Sequence, residues 1–502
     1  MAMARIRNLE DIISHGNTAG RKLAADILEH ALLAGDPYNS VKELVHLEGS
    51  KLIFDCKDYE AANDPNSGPA VYDLDQIDRV YVFAIGKGIQ RMAKALEDIL
   101  GDRLTDGHVI AKHGDEIIME RMSVTLAGHP VPDRDCIKGT QKIVDMIRQA
   151  KLTPNDLVIT AIGNGVSSLC TLPVPEIPFE DIMETTRLMQ IEYGVRTHEL
   201  NQIRNNVDQL KGGRITRLLQ PAKSVHLLGI SIEAIPWRRD STYQDLMETN
   251  MWLHTIADGT SPEEALRVIE KYDTEGKFPA SVVSYFKNFD PKNGPVRYEE
   301  YRTFDTRVFG TMPKTHTTLP AAMKYAQELG FNAYILSDNV FTNARCAGEF
   351  AAQVARSCEV NGQPFQVPCA FFTSGEVTTV CGANPGIGGC NQEFCLAGSF
   401  YLQNSERTVM LAVDTDGTDG PGGDFDPEAT ARGITNLAGG LVDGYTYQDA
   451  MDKGIDVMGA LAEHASSKPL WQLGSAIALH QGVCVDDFTC TLVLSDEMLA
   501  KG

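Results

Sequence analysis

The sequence predicts an α/β protein of two lobes with largely parallel sheets, and two observations predict it. Short apolar, β-branched runs end repeatedly in a glycine turn that opens an amphipathic helix, and 502 residues with 43% apolar content can bury more than one core. "RVYVFAIGKGIQRMAKALEDIL" (79–100) shows this grammar in full, and "DLVITAIGNGVSSLCTL" (156–172) repeats it. Strands alternating with helices build parallel sheets, whose ligands sit where loops leave the carboxyl ends of the strands.

Residues 8–35 carry helical periodicity until "DPYNS" breaks it. Further strand-like runs are "SVHLLGIS" (224–231), "NAYILSD" (332–338), "PCAFFTSGE" (368–376) and "TVMLAVDTDG" (408–417). The polar, helical segment 236–306, with a Pro/Gly/Asn-rich stretch at 290–295, reads as the crossing between the lobes. The expected division is therefore a Rossmann-like N-terminal lobe over 1–295, which includes the crossing, and a C-terminal lobe over 296–502. The second carries a glycine-rich loop and an acidic loop.

Net charge is -23, and Lys and Arg nowhere form a run that could track a phosphate backbone. Nucleic acid and anionic membrane are excluded as partners on that ground. No window approaches the ~18–20 apolar residues of a spanning helix, and "MAMARIRNLEDIISHGN" lacks the apolar region of a secretory signal. Eleven cysteines, an odd number without CxxC spacing, indicate reduced thiols rather than a disulfide framework or a zinc site. A cytoplasmic protein acting on a small molecule is expected.

Five stretches could carry chemistry. In "AIGKGIQ", Lys87 stands between Gly86 and Gly88 where a strand meets a helix, a place that favours an anion; the alternative is a solvated lysine on a tight turn. In "GNGVSS", Gly163, Asn164, Gly165, Ser167 and Ser168 could cradle a phosphate or carboxylate, or the serines could simply cap the helix. In "THELNQIRNNVDQLKGGRI" (197–215), Asn201 and Arg204 share a helical face, and "KGGR" would end that helix with Lys211 and Arg214. Anion binding and dipole compensation stand level there. In "AGHPVPDRD", His129 sits in a rigid loop as a base or substrate donor, or as a structural hydrogen-bonder. In "DTDGTDGPGGDFD" (414–426), oxygen ligands for a hard cation compete with Asx turns. The run "GIGGCNQEFCLAGSF" (386–400) adds glycines that imply close approach to something, beside Cys390.

Taken in order, "AIGKGIQRMAKAL", "AGHPVPD", "HELN..R......KGGR", "TSPEEALRVIEKY...PASV", "SGEVTT", "GGCNQE" and "DTDGTDGP...VDG" resemble the type II glycerate kinases, which phosphorylate the 2-hydroxyl of glycerate with ATP. The resemblance runs from about 10 to 495. It implies two α/β lobes with the active site in the cleft between them, and ATP and Mg²⁺ as cofactors. It puts Lys87 on the family's essential lysine and Glu376 on the glutamate of "SGGETT". Asn391, Gln392 and Glu393 fall on "NQE", and Asp416 and Asp419 on the acidic loop, as metal ligands. Lys87, Glu376, His129 and Cys390 are the candidate catalytic residues. A homodimer is compatible with the sequence.

The departures lie in strand-end loops. "SGGGSALL" is "GNGVSSLC" here, "SDV" with its following "GD" is "SIEAIPW", which puts Ile232 in the altered loop and leaves Glu233 as the nearby acid, and "RKH" is "RNN". "TNVND" is "VCVDD", and the arginine of "GGRNQE" is Cys390. Scaffold signals survive while site loops change, so the expected substrate is a small hydroxy acid or polyol acid other than plain glycerate. The alternative is a non-kinase enzyme on the same scaffold, acting without nucleotide on a keto, hydroxy or cyclic metabolite, with Cys390 or Lys87 as nucleophile.

Overall fold

The computed structural model describes residues 5–230, 242–312, 317–382, 384–480 and 487–500. The altered "SIEAIPW" loop, with Ile232 and Glu233, lies outside the described residues, as does most of "VCVDD". The chain divides into two compact units, Asp36–Pro313 and the combination of Met1–Gly35 with Lys314–Gly502.

The first unit is built on a six-stranded sheet. Its strands are β4 (Arg79–Ile85), β5 (Leu104–Lys112), β6 (Ser123–Ala127), β7 (Asp156–Ile162), β8 (Lys223–Leu228) and β9 (Thr306–Gly310), in the order β6-β5-β4-β7-β8-β9. Every pairing is parallel. Such strands are buried on both faces, which is why β4 and β7 read as unbroken apolar runs. A small antiparallel sheet of β1 (Val45–Glu48), β2 (Lys51–Phe54) and β3 (Ala70–Asp73) precedes them. "DPYNS", expected only to break a helix, starts one: Asp36 accepts the Tyr38 N–H and Pro37 opens helix Pro37–Leu44.

The segment expected as a crossing between lobes is part of this unit. Its helices Tyr243–Thr249, Pro262–Tyr272 and Ala280–Lys287 lead into β9, which pairs with β8. The boundary expected at 295/296 therefore moves to residue 313, because cutting at 295 would remove the sheet's last strand.

The second unit has six strands: β10 (Asn332–Val340), β11 (Cys369–Gly375), β12 (Thr408–Asp414), β13 (Gly439–Asp443), β14 (Ala476–Ile477) and β15 (Asp487–Val493), ordered β10-β11-β15-β12-β13-β14. Here the expectation of a largely parallel sheet is corrected: β10 and β11 are parallel, but all other pairings are antiparallel. The last strand of the chain returns between β11 and β12 and reverses the direction. The N-terminal 35 residues join this unit rather than the first. Helix Thr18–Ala34 buries Ile27, Leu28 and Ala31 in the core that includes Leu411 and Leu492, and the fully buried Arg21 donates to Asp443, Thr446 and Ser475. Among the described residues no helix is long and apolar enough to cross a membrane.

Candidate functional site

Two of the expected turns meet at the carboxyl ends of the central strands β4 and β7. Gly86 has φ 153° and Gly88 φ 61°, values that side chains resist. A Cβ on Gly86 would also lie 2.7 Å from the Gly163 Cα, so the turns touch through bare backbone. Gly163 N–H donates to Ile85 O (2.9 Å) and Lys87 N–H to Asn164 O (2.7 Å). Those two N–H groups bind the loops to each other, so the Gly163 N–H is not one of those the turn offers to an anion. At Gly165, φ 75°, a Cβ would come within 2.9 Å of both Lys87 Cγ and His129 Cδ2. The missing side chain lets the half-buried lysine and the imidazole close over the second turn.

Neither serine caps the following four-residue helix, Val166–Leu169. Ser168 Oγ donates to Gly128 O (3.1 Å) and so ties the His129 loop to the turn. Ser167 Oγ meets Asn201 Nδ2 (3.2 Å) and His254 Nε2 (3.0 Å). Beyond it, Ser167, Thr171, Arg204, Asp208 and Lys211 line a small cavity of about 10 Å³ of water-accessible space. That is room for about one water-sized group. Arg204 Nη2 donates to Gln190 Oε1 (2.7 Å), and Lys211 Nζ lies 2.6 Å from Asp208 Oδ2 and 3.2 Å from Thr171 Oγ1. The structure thus brings together Lys87, His129, the 163–168 turn, Asn201, Arg204 and Lys211.

Arg214 does not join them. Its guanidinium donates to the carbonyls of Asn205, Lys211 and Asn293 at 2.6–3.2 Å, latching the loop that follows helix Thr197–Arg204. "KGGR" does not end that helix: it lies ten residues past Asn201 and opens the next one, Arg214–Leu219.

The second group lies in the second unit, around helix Cys390–Tyr401. The glycine run before it approaches the protein itself. A Cβ on Gly389 would strike the Asp419 carboxylate at 2.2 Å, and one on Gly388 the Ser466 Oγ at 2.5 Å. Asp419 uses that space to cap the helix, its Oδ1 accepting the Asn391 N–H (3.1 Å) and its Oδ2 the Gln392 N–H (2.8 Å). Burial pushes the Asp419 carboxyl up to about 6, against these donors. Asn391 Nδ2 donates to Asp487 Oδ1 (2.6 Å), and burial raises that carboxyl as well. Glu393 pairs with Arg345 Nε (2.6 Å) and His464 Nδ1 (2.8 Å). Asn391 and Glu393, which the resemblance puts on the family's "NQE" and which were candidates to bind substrate or phosphate, are thus engaged within the fold.

The acidic loop was expected to hold Mg²⁺ through Asp416 and Asp419. Asp416 Oδ1 closes an Asx turn on Thr418, taking its N–H (2.9 Å) and Oγ1–H (2.6 Å), and both Asp419 oxygens face N–H donors. A carboxylate oxygen that accepts one N–H keeps a further lone pair, so this capping and turn work does not bar either residue from ligating an ion. Among the described residues, the one convergent group of three such ligands is His113, Asp133 and Asp135, where Asp133 already caps a helix and bonds His113 (2.6 Å).

Cys390 is half-buried, and burial, followed by the Asp419 charge, raises its thiol well above the usual range. A thiolate is therefore disfavoured there. Glu376 is exposed immediately after β11. Sequence reasoning missed His254, Asp208 and Asp487. His254 stands in "NMWLHTIADGT", inside the segment dismissed as a crossing, and nothing in that stretch marks it.

Comparisons with known proteins agree with this architecture. Residues 23–231 match the family model described as a domain of unknown function, DUF4147, and residues 369–485 match the MOFRL family. The chain is similar to the glycerate 2-kinase of Pyrococcus horikoshii, 30% identical over 465 residues, which is 91% of this chain and 93% of that protein. It is also similar to the D-glycerate 2-kinase of Thermotoga maritima, 31% identical over 420 residues, 83% of this chain and 91% of that protein. Among solved structures, a glycerate kinase from Thermotoga maritima superimposes with a TM-score of 0.65 at 29% identity, covering 94% of this chain and 99% of that one.

Proposed function

The chain belongs to the type II glycerate kinase family, and from that premise we propose that it transfers the γ-phosphoryl group of ATP to a hydroxyl of a small hydroxy acid. The observation that carries this reading is the packing of Lys87 and His129 together against Gly165, at the strand ends where an α/β sheet takes its ligand.

Phosphoryl transfer asks a protein for position and charge neutralisation more than for covalent chemistry. Lys87 supplies a mobile positive charge to the transferring group. His129 accepts the proton of the attacking hydroxyl, whose oxygen bonds the γ-phosphorus as the bond to the bridging oxygen breaks and ADP leaves. Mg²⁺ enters this scheme with the nucleotide substrate, and Asp416 and Asp419 are the residues that would hold it. Arg204 and Lys211 give the neighbouring cavity its positive field.

The family arginine replaced by Cys390 supports a substrate other than plain glycerate. The raised thiol speaks against the non-kinase alternative in which Cys390 is the nucleophile. A coupled assay for ADP release, run with ATP-Mg²⁺ over three- to six-carbon hydroxy acids and their polyols, tests the proposal. ADP release that depends on one of the acids, with a phosphate monoester by ³¹P NMR, is expected. No ADP release with any of them would overturn it.

A further inference from the structure

Ser167 Oγ is the junction of a buried hydrogen-bond chain whose polarity can be worked out. Asn201 presents one atom to Ser167 Oγ (3.2 Å) and to the Met251 carbonyl (3.0 Å). A carbonyl only accepts, so that atom is the amide nitrogen, and Asn201 donates to the serine. Asn205 Nδ2 donates to the same carbonyl (2.9 Å), which confirms its acceptor role.

On the other side stands His254, 1% exposed, with Nε2 3.0 Å from Ser167 Oγ. Its Nδ1 has no hydrogen-bond partner among the described residues. Burial, and after it the charges of Lys211, Arg204 and Arg214, holds the ring well below its usual pKa, so it is neutral. A neutral ring has one N–H. A buried N–H left unpaired is the costlier orphan, so the proton belongs on Nε2 and the lone pair on Nδ1. Nε2–H then donates to Ser167.

A hydroxyl has two lone pairs and one proton. Asn201 and His254 fill both lone pairs, which leaves Ser167 only its proton to offer. Ser167 lines the cavity with Arg204, Lys211, Thr171 and the single acid Asp208. Arg204 and Lys211 bring two cations to that wall, Lys211 paired with the Asp208 carboxylate.

We propose that Ser167 is held as an obligate hydrogen-bond donor to the carboxylate of the hydroxy-acid substrate, and that His254 is the positioning residue that fixes this polarity. The inference rests on the reading of the protein as a hydroxy-acid kinase. It assigns a single carboxylate oxygen of the substrate to the Ser167 cavity, whose ~10 Å³ admits about one water-sized group, beside the Lys87 and His129 turn.

The test compares Ser167→Ala, His254→Leu and His254→Gln, whose amide can still donate to Ser167. With the hydroxy acid that the kinase assay selects, Ser167→Ala and His254→Leu are each expected to raise KM about 10-fold or more with kcat within about 3-fold, as for a lost hydrogen bond to a charged group. His254→Gln should stay within about 3-fold of wild type in both. An unchanged KM in Ser167→Ala, or a Gln variant as impaired as the Leu variant, overturns the proposal. Should His254→Leu fail to fold, Ser167→Ala, which removes one hydroxyl, decides alone. If no acid is turned over, the kinase reading has failed and this inference is read separately by calorimetric binding of each acid of the same three- to six-carbon panel. Binding that Ser167→Ala weakens about 10-fold supports it, whereas no binding, or inorganic phosphate bound as tightly and through the same serine, overturns the carboxylate assignment.

Discussion

The Asp419 carboxylate caps the helix that begins at Cys390, accepting the backbone N–H groups of Asn391 and Gln392. A residue placed by resemblance among metal ligands therefore does structural work at a helix end. Its carboxyl titrates near 6 in the fold against an ordinary 3.8, raised by burial. The folded protein holds this proton more tightly than the unfolded chain does, so the associated stability is complete below pH 3.8 and is lost as pH rises through about 6. The stability of wild type relative to Asp419→Asn should fall by on the order of 3 kcal/mol between about pH 4 and pH 7. Denaturant unfolding of both proteins at each pH measures it; a flat difference would show that Asp419 is ionised throughout.

Lys87→Ala should lower kcat by at least about 10³-fold while changing stability by within about 0.5 kcal/mol. The side chain is half-buried on a turn and lies outside the unit's apolar core, whereas a charge aimed at a reacting anion is worth far more in rate. Steady-state kinetics and a melting curve on the same preparation separate the two effects.

Gly165→Ala probes the packing that defines the turn. Its φ of 75° costs a side chain ~1–2 kcal/mol, and the added Cβ meets Lys87 Cγ and His129 Cδ2, both at 2.9 Å. Activity should fall more than about 10²-fold, since small displacements of positioned groups are expensive in rate. Full activity in this variant would remove the Lys87 and His129 pair from the site.

Cys390→Ser should retain activity within about 3-fold, because a thiol raised by burial and by the Asp419 charge supplies no thiolate for chemistry. In the wild-type protein, iodoacetamide should modify the exposed Cys346 well before Cys390, as followed by peptide mass spectrometry. An inactive, folded Cys390→Ser variant would restore a chemical role for the thiol.

The candidate site was partly legible. Lys87, His129 and the 163–168 turn could be found because glycines beside an apolar run mark strand-end turns whatever the surroundings. Their mutual contact could not, since it depends on β4 and β7 being neighbours in register. Ser167 was legible as a polar residue in a turn, but its donor polarity rests on Asn201 and His254, 34 and 87 positions away. Arg214 shows the limit from the other direction: a basic residue after two glycines reads as a ligand for an anion, and only the fold supplies the three carbonyls that occupy it.

The sequence by itself determined the class of fold, through the alternation of apolar runs, glycine turns and amphipathic helices, and through the family motifs spread along the chain. These are local signals, fixed by backbone conformational preference and by which faces must be buried. Tertiary structure alone decided the rest. It carried the first 35 residues to the far end of the chain, where Arg21 finds Asp443, and it placed β9 in the first sheet. It also reversed the second sheet by returning β15 between β11 and β12, and it set Asp419 of the acidic loop against the start of the helix that begins at Cys390. Each of these depends on which partner a group finds across hundreds of residues, and pairing at that distance leaves no period, spacing or composition in the chain to read.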